Sequence, residues 1–338
     1  MLFLSSCKDN PVIPKKTNTI NIFDTARFNW HVDVLVLGGI GYQDYTPDSS
    51  NLYILGSTTF LHYHDKIYET HYFNLPNGFN ADAIGGLDNS NIFFGGTIYN
   101  GLQGEYAKLK FLKWNGASIQ EISINDSSII PDYFNSIYVR NLNDIWIGLY
   151  RGRIINYNGS TFTYYSIDSN YSFRTIFEQD NDLYCVADYN PVYPDTLSIF
   201  KFETNSWSKV YSCYNVSRIK FTLSFIGEHL FGTMTQSIGQ TLYSFNGTTF
   251  IKVMDINQFT KSQYETFGGP NLNDVLMHGW APDNGDTTFD ILNWNGNKWS
   301  REVKNFYGIL YYVKGFGNKY FCVSVSDLTS YVLIGTRK

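Results

Sequence analysis

Asp144-Ile145-Trp146, then Ile155-Asn156-Tyr157-Asn158-Gly159, then Phe162: read in that order, these pieces decide the fold. Ile155-Asn156-Tyr157 alternates apolar and polar positions, the pattern of a half-buried strand. Asn158-Gly159 supplies the positive φ angles that a tight hairpin turn demands. Phe162 then opens the return strand with a large ring.

The same hairpin recurs along the chain. Leu61-His62-Tyr63, Leu112-Lys113-Trp114, Phe200-Lys201-Phe202, Tyr243-Ser244-Phe245 and Leu292-Asn293-Trp294 match Ile155-Asn156-Tyr157, and Asn-Gly follows at Asn115-Gly116, Asn246-Gly247 and Asn295-Gly296. His64-Asp65 and Glu203-Thr204 stand in its place in the other two. The return strands open with Tyr68, Ile119, Trp207, Phe250 and Trp299. A second column, which includes Asp144-Ile145-Trp146, precedes each hairpin at Leu52, Ile92, Leu183, Leu230 and Val275 and appears a seventh time at Tyr320. Its spacing averages about 45 residues, the length of a four-stranded propeller blade and longer than the short helical repeats. The innermost strand of each unit is expected just upstream, as in Tyr133 to Val139, Phe173 to Phe177 and Arg218 to Phe225.

The last unit stops short. After Tyr331-Val332-Leu333-Ile334 the chain reaches Lys338 with no return strand. The missing strand is therefore expected from Thr19 to Phe23 or Phe28 to Val32, pairing beside the final strand and closing the ring, which hides the sheet edges. The fold expected is all-β: a seven-bladed β-propeller of four-stranded antiparallel blades, occupying residues 19–338 as one domain behind a tether of residues 1–18.

Composition agrees. Charged residues make up 16% of the 338, against about 25% in an average soluble protein, and aromatics reach 18%. Thus there is material for a large core and none of the signature of disorder. The net charge of -5, with no basic block, argues against nucleic acid or anionic lipid as a partner.

At the amino end, Met1-Leu2-Phe3-Leu4-Ser5-Ser6-Cys7 runs from apolar through small residues to Cys, and Lys8-Asp9-Asn10 follows. This resembles the end of a bacterial lipoprotein signal peptide. The resemblance implies that Leu4, Ser5 and Ser6 are read by the signal peptidase and that Cys7 carries lipid. The six residues before Cys7 fall short of the basic and apolar stretches such a leader has, roughly 7 to 15 apolar residues, a gap that an upstream start would fill. Asn10 to Thr19, with Pro11 and Pro14, reads as an extended tether. With the D-I-W and W-N-G repeats, the chain resembles bacterial β-propeller lipoproteins and surface proteins, which implies a place at the cell envelope, at the outer membrane or cell surface. Cys185, Cys213 and Cys322 have no metal or redox spacing and read as buried thiols.

Function is less legible, because propellers host binders, sensors and enzymes alike. One face of the ring is expected to carry short uniform turns and the other the variable loops, Thr97 to Lys108, Tyr150-Arg151-Gly152, Asp188 to Thr196 and Trp280 to Thr288. Tyr99, Tyr150, Tyr189, Tyr193 and Trp280, beside Asp188 and Asp283, are the candidate binding residues, since flat rings give contact area at low entropic cost. They suit a protein loop or a glycan. No G-x-S-x-G, H-E-x-x-H or P-loop is present, and no catalytic residue, metal or cofactor is assigned. A zinc site from His62, His64 and His71, close in sequence, is an alternative reading, but His62 sits in the polar slot that Lys113 and Asn156 fill elsewhere, and the slot is the reading preferred. Asp283-Asn284-Gly285-Asp286 lacks EF-hand spacing and reads as a turn. The function expected is a non-catalytic recognition or scaffold propeller binding protein or glycan through its long-loop face. The alternative is a carbohydrate-active enzyme, a glycoside hydrolase or lyase, drawing on Asp82, Asp132, Glu178 or Glu265 in the central funnel.

Overall fold

The computed structural model describes residues 27–35, 40–75, 79–98, 108–124, 132–189, 196–214, 220–235, 240–256, 264–280, 288–307, 309–326 and 329–338. Among them are strands β1 to β28, which form seven antiparallel four-stranded units. Blade one is β2 (Ile40–Tyr45), β3 (Leu52–Gly56), β4 (Thr59–His64) and β5 (Ile67–Tyr72), and blade two is β6 (Phe79–Asp88), β7 (Asn91–Ile98), β8 (Lys108–Trp114) and β9 (Ile119–Ile122). Blade three is β10 (Phe134–Asn141) to β13 (Phe162–Ser166), and blade four is β14 (Tyr171–Gln179), β15 (Asp182–Tyr189), β16 (Thr196–Glu203) and β17 (Ser206–Tyr214). Blade five runs from β18 (Lys220–Ile226) to β21 (Phe250–Asp255), and blade six from β22 (Tyr264–Asn271) through β23 (Asp274–Trp280) to β25 (Trp299–Tyr307). Blades five and six touch through one parallel pairing of inner strands, Ile226 opposite Gly269.

The seventh blade holds β26 (Ile309–Phe316), β27 (Lys319–Ser326) and β28 (Thr329–Arg337), with β1 (Phe28–Leu35) as its outer strand. β1 pairs with β28 without a break from Phe28 opposite Arg337 to Leu35 opposite Ser330, and Lys338 N donates to Arg27 O at 2.9 Å. The expectation of an amino-terminal closing strand therefore holds for Phe28 to Val32. Thr19 to Phe23, Cys7 and the rest of the tether lie outside the described residues.

The core is divided rather than central. Seven clusters of buried side chains each join two consecutive blades, from Tyr53 and Phe94 between blades one and two round to Leu52, Leu35 and Phe321 between blades seven and one. Each sheet is thus apolar on both faces, which is why the second column reads Leu-Tyr, Ile-Phe or Ile-Trp rather than alternating with polar residues. The inner strands are also pinned by side chains: Asn135 Nδ2 donates to Ser172 Oγ at 2.6 Å, Thr266 Oγ1 to Leu310 O at 2.9 Å, and Thr46 bonds the Tyr312 hydroxyl.

The Asn-Gly turns differ from the expected two-residue form. Tyr157 pairs with Phe162, so the loop holds four residues. Only the glycine adopts a positive φ, +90° at Gly159. Asn158 acts through its side chain, Oδ1 accepting from Ser160 N at 3.0 Å and Thr161 N at 2.8 Å. Asn115, Asn246 and Asn295 do the same. The hairpins without Asn-Gly make the true two-residue turn instead, with Asp65-Lys66 and Thr204-Asn205 at positive φ.

Candidate partner-binding face

Two kinds of connection leave each blade. Turns between first and second strands and between third and fourth strands share one face and hold two to four residues, apart from the six of Thr46 to Asn51 in blade one. Those between second and third strands and between blades share the other, to which the described ends at Ile98 and Lys108, Tyr189 and Thr196, and Trp280 and Thr288 belong. The sequence candidates Tyr99, Tyr193 and Asp283 lie outside the described residues.

What the described residues bring together there is a set of inner-strand bulges. The pairing of inner to second strand shifts register between Ala81 and Ala83, Phe134 and Ser136, Phe173 and Thr175, Tyr264 and Thr266, and Leu310 and Tyr312. The extra residue is Asp82, Asn135, Arg174, Glu265 or Tyr311, at equivalent places near the start of five inner strands. A bulge leaves its residue out of the ladder and re-aims its side chain. Arg174 and Tyr311 are exposed, Tyr311 at 42%. Asp82 accepts from Asn80 Nδ2 at 2.8 Å and Thr97 Oγ1 at 3.3 Å, yet burial still pushes its carboxyl up to about 6.

The junction of blades three and four is the best-defined corner of this face. Asp132 is fully buried and binds Arg153 in a fork, Nε at 3.1 Å and Nη2 at 2.8 Å, and it also accepts from Arg151 N at 3.0 Å. Gly152, at φ +65°, donates to Tyr171 O at 2.7 Å; a Cβ there would lie 1.9 Å from Asp168 O, so only glycine lets the two blades close. Over this clamp stands Tyr150, 45% exposed, with its ring edge-on to Tyr133 at 6.3 Å. A cleft of about 290 Å³ opens beside it, lined by Arg151, Arg153, Ser166, Asp168 and Ser169.

The candidates named from sequence divide accordingly. Tyr150 is exposed. Tyr189 leans on Tyr171 at 4.8 Å, and Asp188 pairs with the bulged Arg174, so both help hold the mouth of the ring. Trp280 ends β23, with its backbone opposite Phe289. Of the funnel carboxylates, Asp132 serves the Arg153 clamp. Glu178 lies at the tight-turn end of β14, where the Arg140 guanidinium, at 2.7 and 2.9 Å, holds its carboxyl below the usual range. Asp82 and Glu265 occupy the bulges. Arg174, Asn135 and Tyr311 were not among the candidates: bulges follow from pairing, and the five residues share no letter that a repeat search could find.

The three neighbouring histidines also meet. His62 and His64 on β4 and Glu69 and His71 on β5 point from one sheet face, with His62 directly opposite Glu69. His62 does fill the slot read from sequence: its Nε2 bonds Asn51 Oδ1 at 2.8 Å, as Asn156 bonds Asp144 at 2.8 Å and Asn293 bonds Asp274 at 3.2 Å in their own blades.

No family model matches the chain, and no curated protein matches it in sequence. Solved structures match its fold. A structure described as YCF48 bound to D1 peptide superposes with a TM-score of 0.67 over 94% of this chain and 100% of that one, at 12% identity. YCF48 from Cyanidioschyzon merolae gives 0.61 over 91% and 98%, at 13% identity. The Cps50 (Swd1) β-propeller domain from Myceliophteria thermophila gives 0.59 over 89% and 99%, at 10%. The chain is a β-propeller.

Proposed function

We propose that this propeller is a non-catalytic recognition module that takes a segment of a partner protein at the mouth of its ring, on the face of the long loops. The observation that carries the reading is the set of bulges: at five equivalent positions of a repeated fold stand Asp82, Asn135, Arg174, Glu265 and Tyr311. Repeated architecture with unlike residues at one level is the pattern of a surface that discriminates a ligand, since packing alone would favour like residues. Carboxylate, guanidinium, amide and phenol together suit a peptide's mixed polar groups, and Tyr and Arg are the residues that most often dominate protein interfaces. That a similar propeller, YCF48, is described with a bound peptide supports the reading. The same rings and carboxylates would also meet glycan hydroxyls.

The test is affinity capture from the native envelope, then measured binding of each identified partner, protein or purified glycan, to Arg174→Glu and Tyr311→Ala. Loss of affinity of about tenfold or more with unchanged melting supports the site, and unchanged affinity for every partner refutes it.

A second reading, a carbohydrate-active enzyme, draws on Asp82, whose carboxyl near 6 is in the range of a general acid. Hydrolysis or lyase cleavage of an envelope glycan that Asp82→Asn abolishes would establish it. We further propose, on the strength of Leu4-Ser5-Ser6-Cys7, that residues 1–18 tether residues 19–338 to a bacterial envelope through lipid on Cys7. Metabolic labelling with a palmitate analogue, lost in Cys7→Ser, tests that.

A further inference from the structure

The outer hairpin of blade one differs from the other five in carrying three histidines. Antiparallel pairing puts His62 opposite Glu69 and Phe60 opposite His71, and His64 lies two residues beyond His62 on the same face. One donor atom from each of His62, Glu69 and His71 lies within 4.8 Å of the others. His64 Nε2 is 3.2 Å from Glu69 Oε1, and His71 Nε2 is 3.6 Å from Glu69 Oε2. The Glu69 carboxylate thus stands between two imidazoles with the third across the ladder.

The imidazoles are held rigidly. His62 stacks on Tyr53 with centroids 4.2 Å apart and planes 8° from parallel; His71 packs between Phe60, at 4.8 Å, and Trp114 of blade two, at 4.6 Å. Asn51 fixes the proton on His62. Its Nδ2 donates to both oxygens of Asp48 at 3.0 Å, so its Oδ1 faces His62 as an acceptor, and Nε2 must carry the hydrogen. Nδ1 keeps the lone pair, and an imidazole steered by a hydrogen bond from its other nitrogen is the arrangement metal ligands show. His71 Nε2 is buried with no hydrogen-bond partner. A buried imidazole nitrogen left without a hydrogen bond costs free energy.

We propose that His62, Glu69 and His71 bind a zinc-class divalent cation on the outer edge of blade one, with His64 as a fourth donor. Imidazole and carboxylate suit zinc, and a tetrahedral ion with bonds of about 2.0–2.2 Å holds its donors about 3.4 Å apart. Separations of up to 4.8 Å contract by about 1 to 1.5 Å to reach that geometry, and the half-exposed Glu69 side chain is the donor with the most room to move. All four donors come from one hairpin, and His71 leans on Trp114, so the ion would staple the edge of blade one against blade two. It is separate from the bulged mouth of the ring and independent of any partner bound there.

The untagged full chain is titrated with Co2+ and, in a second series, with Zn2+ against a chromogenic chelator. His62→Asn places at this slot the residue that blades three and six already use, and Glu69→Gln alters an exposed carboxylate, so both variants keep the blade folded; circular dichroism melts without metal verify this. The expected result is one Co2+ per chain with the intense visible bands of four-coordinate cobalt, Zn2+ affinity weakened about 10–100-fold in each variant, and a melting temperature that rises with Zn2+ in the wild type only. No uptake by the wild type, or uptake unchanged in the double variant His62→Asn/Glu69→Gln, overturns the proposal.

Discussion

Trp30 of the first strand lies directly opposite Gly335 of the last and covers it with its indole; a Cβ on Gly335 would come within 2.9 Å of Trp30 Cη2. Gly335→Ala should therefore destabilise the ring by about 1–3 kcal/mol through overpacking. Trp30→Ala should cost about 3 kcal/mol for the lost burial. In the double variant the clash is gone, so the two effects should fall short of their sum. Urea unfolding of the four proteins measures the cycle, and strict additivity would show that indole and glycine are not in contact.

Removing the buried acid of the blade-three clamp should be among the most damaging changes on the binding face. Asp132→Ala leaves Arg153 without its carboxylate and Arg151 N without its acceptor, for about 3–5 kcal/mol. Replacement of the neighbouring exposed Tyr150 by Ala should alter stability by less than about 0.5 kcal/mol. Thermal melts of the pair, run together, separate the residue that builds the face from the residue the face presents.

Asp82 sets a pH dependence. Its carboxyl titrates near 6 in the folded chain and in the ordinary range, 3.8, when unfolded, because burial disfavours the charge. Between those values the folded state holds the extra proton, so stability falls as pH rises through the window and levels off above it. Asp82→Asn, which keeps an acceptor for Asn80 and Thr97, should flatten the curve. It should match wild type near the lower end of the window and exceed it above by on the order of 2 kcal/mol, solvent screening included. Denaturant midpoints across the window give the comparison.

Thr204 adopts φ +46° at the first position of its two-residue turn, a conformation that costs a β-branched side chain more than an asparagine. Thr204→Asn should stabilise the chain by about 0.5–1 kcal/mol. A lower melting temperature would show that Thr204 makes a contact worth more than its strain.

The architecture could be read from residues because each of its devices repeats as a letter or a spacing: the large apolar pair of the second column, the alternating hairpin strand, the Asn-Gly loop and the one unit left a strand short. The actual chemistry of the Asn-Gly loop escaped because a dipeptide does not say whether Asn158 contributes its backbone angle or its side-chain oxygen. The mouth of the ring was only half visible. Asp82 and Glu265 were candidates as acids, whereas Arg174, Asn135 and Tyr311 join them through a register shift that only the paired neighbour reveals. The histidine hairpin shows the same boundary from the other side: the His62 slot was legible in the column, but the distances from Glu69 to His64 and His71 depend on a fold-back that spacing does not specify.

Because Lys338 N bonds Arg27 O, residues 338 and 27 lie one short linker apart. A gene that joins residue 338 to residue 27 through such a linker and opens instead between Asn158 and Gly159 would encode the same ring with β28 and β1 as neighbours along the chain. Its longest-range ladder would become local in sequence, and the new seam would move to a two-strand hairpin within blade three. The ladder that becomes long-range, Arg153–Tyr157 with Phe162–Ser166, holds five pairs against the eight made local, and chains with more local pairing fold faster at similar stability, so the permuted gene product should reach the native ring somewhat sooner than the natural order does.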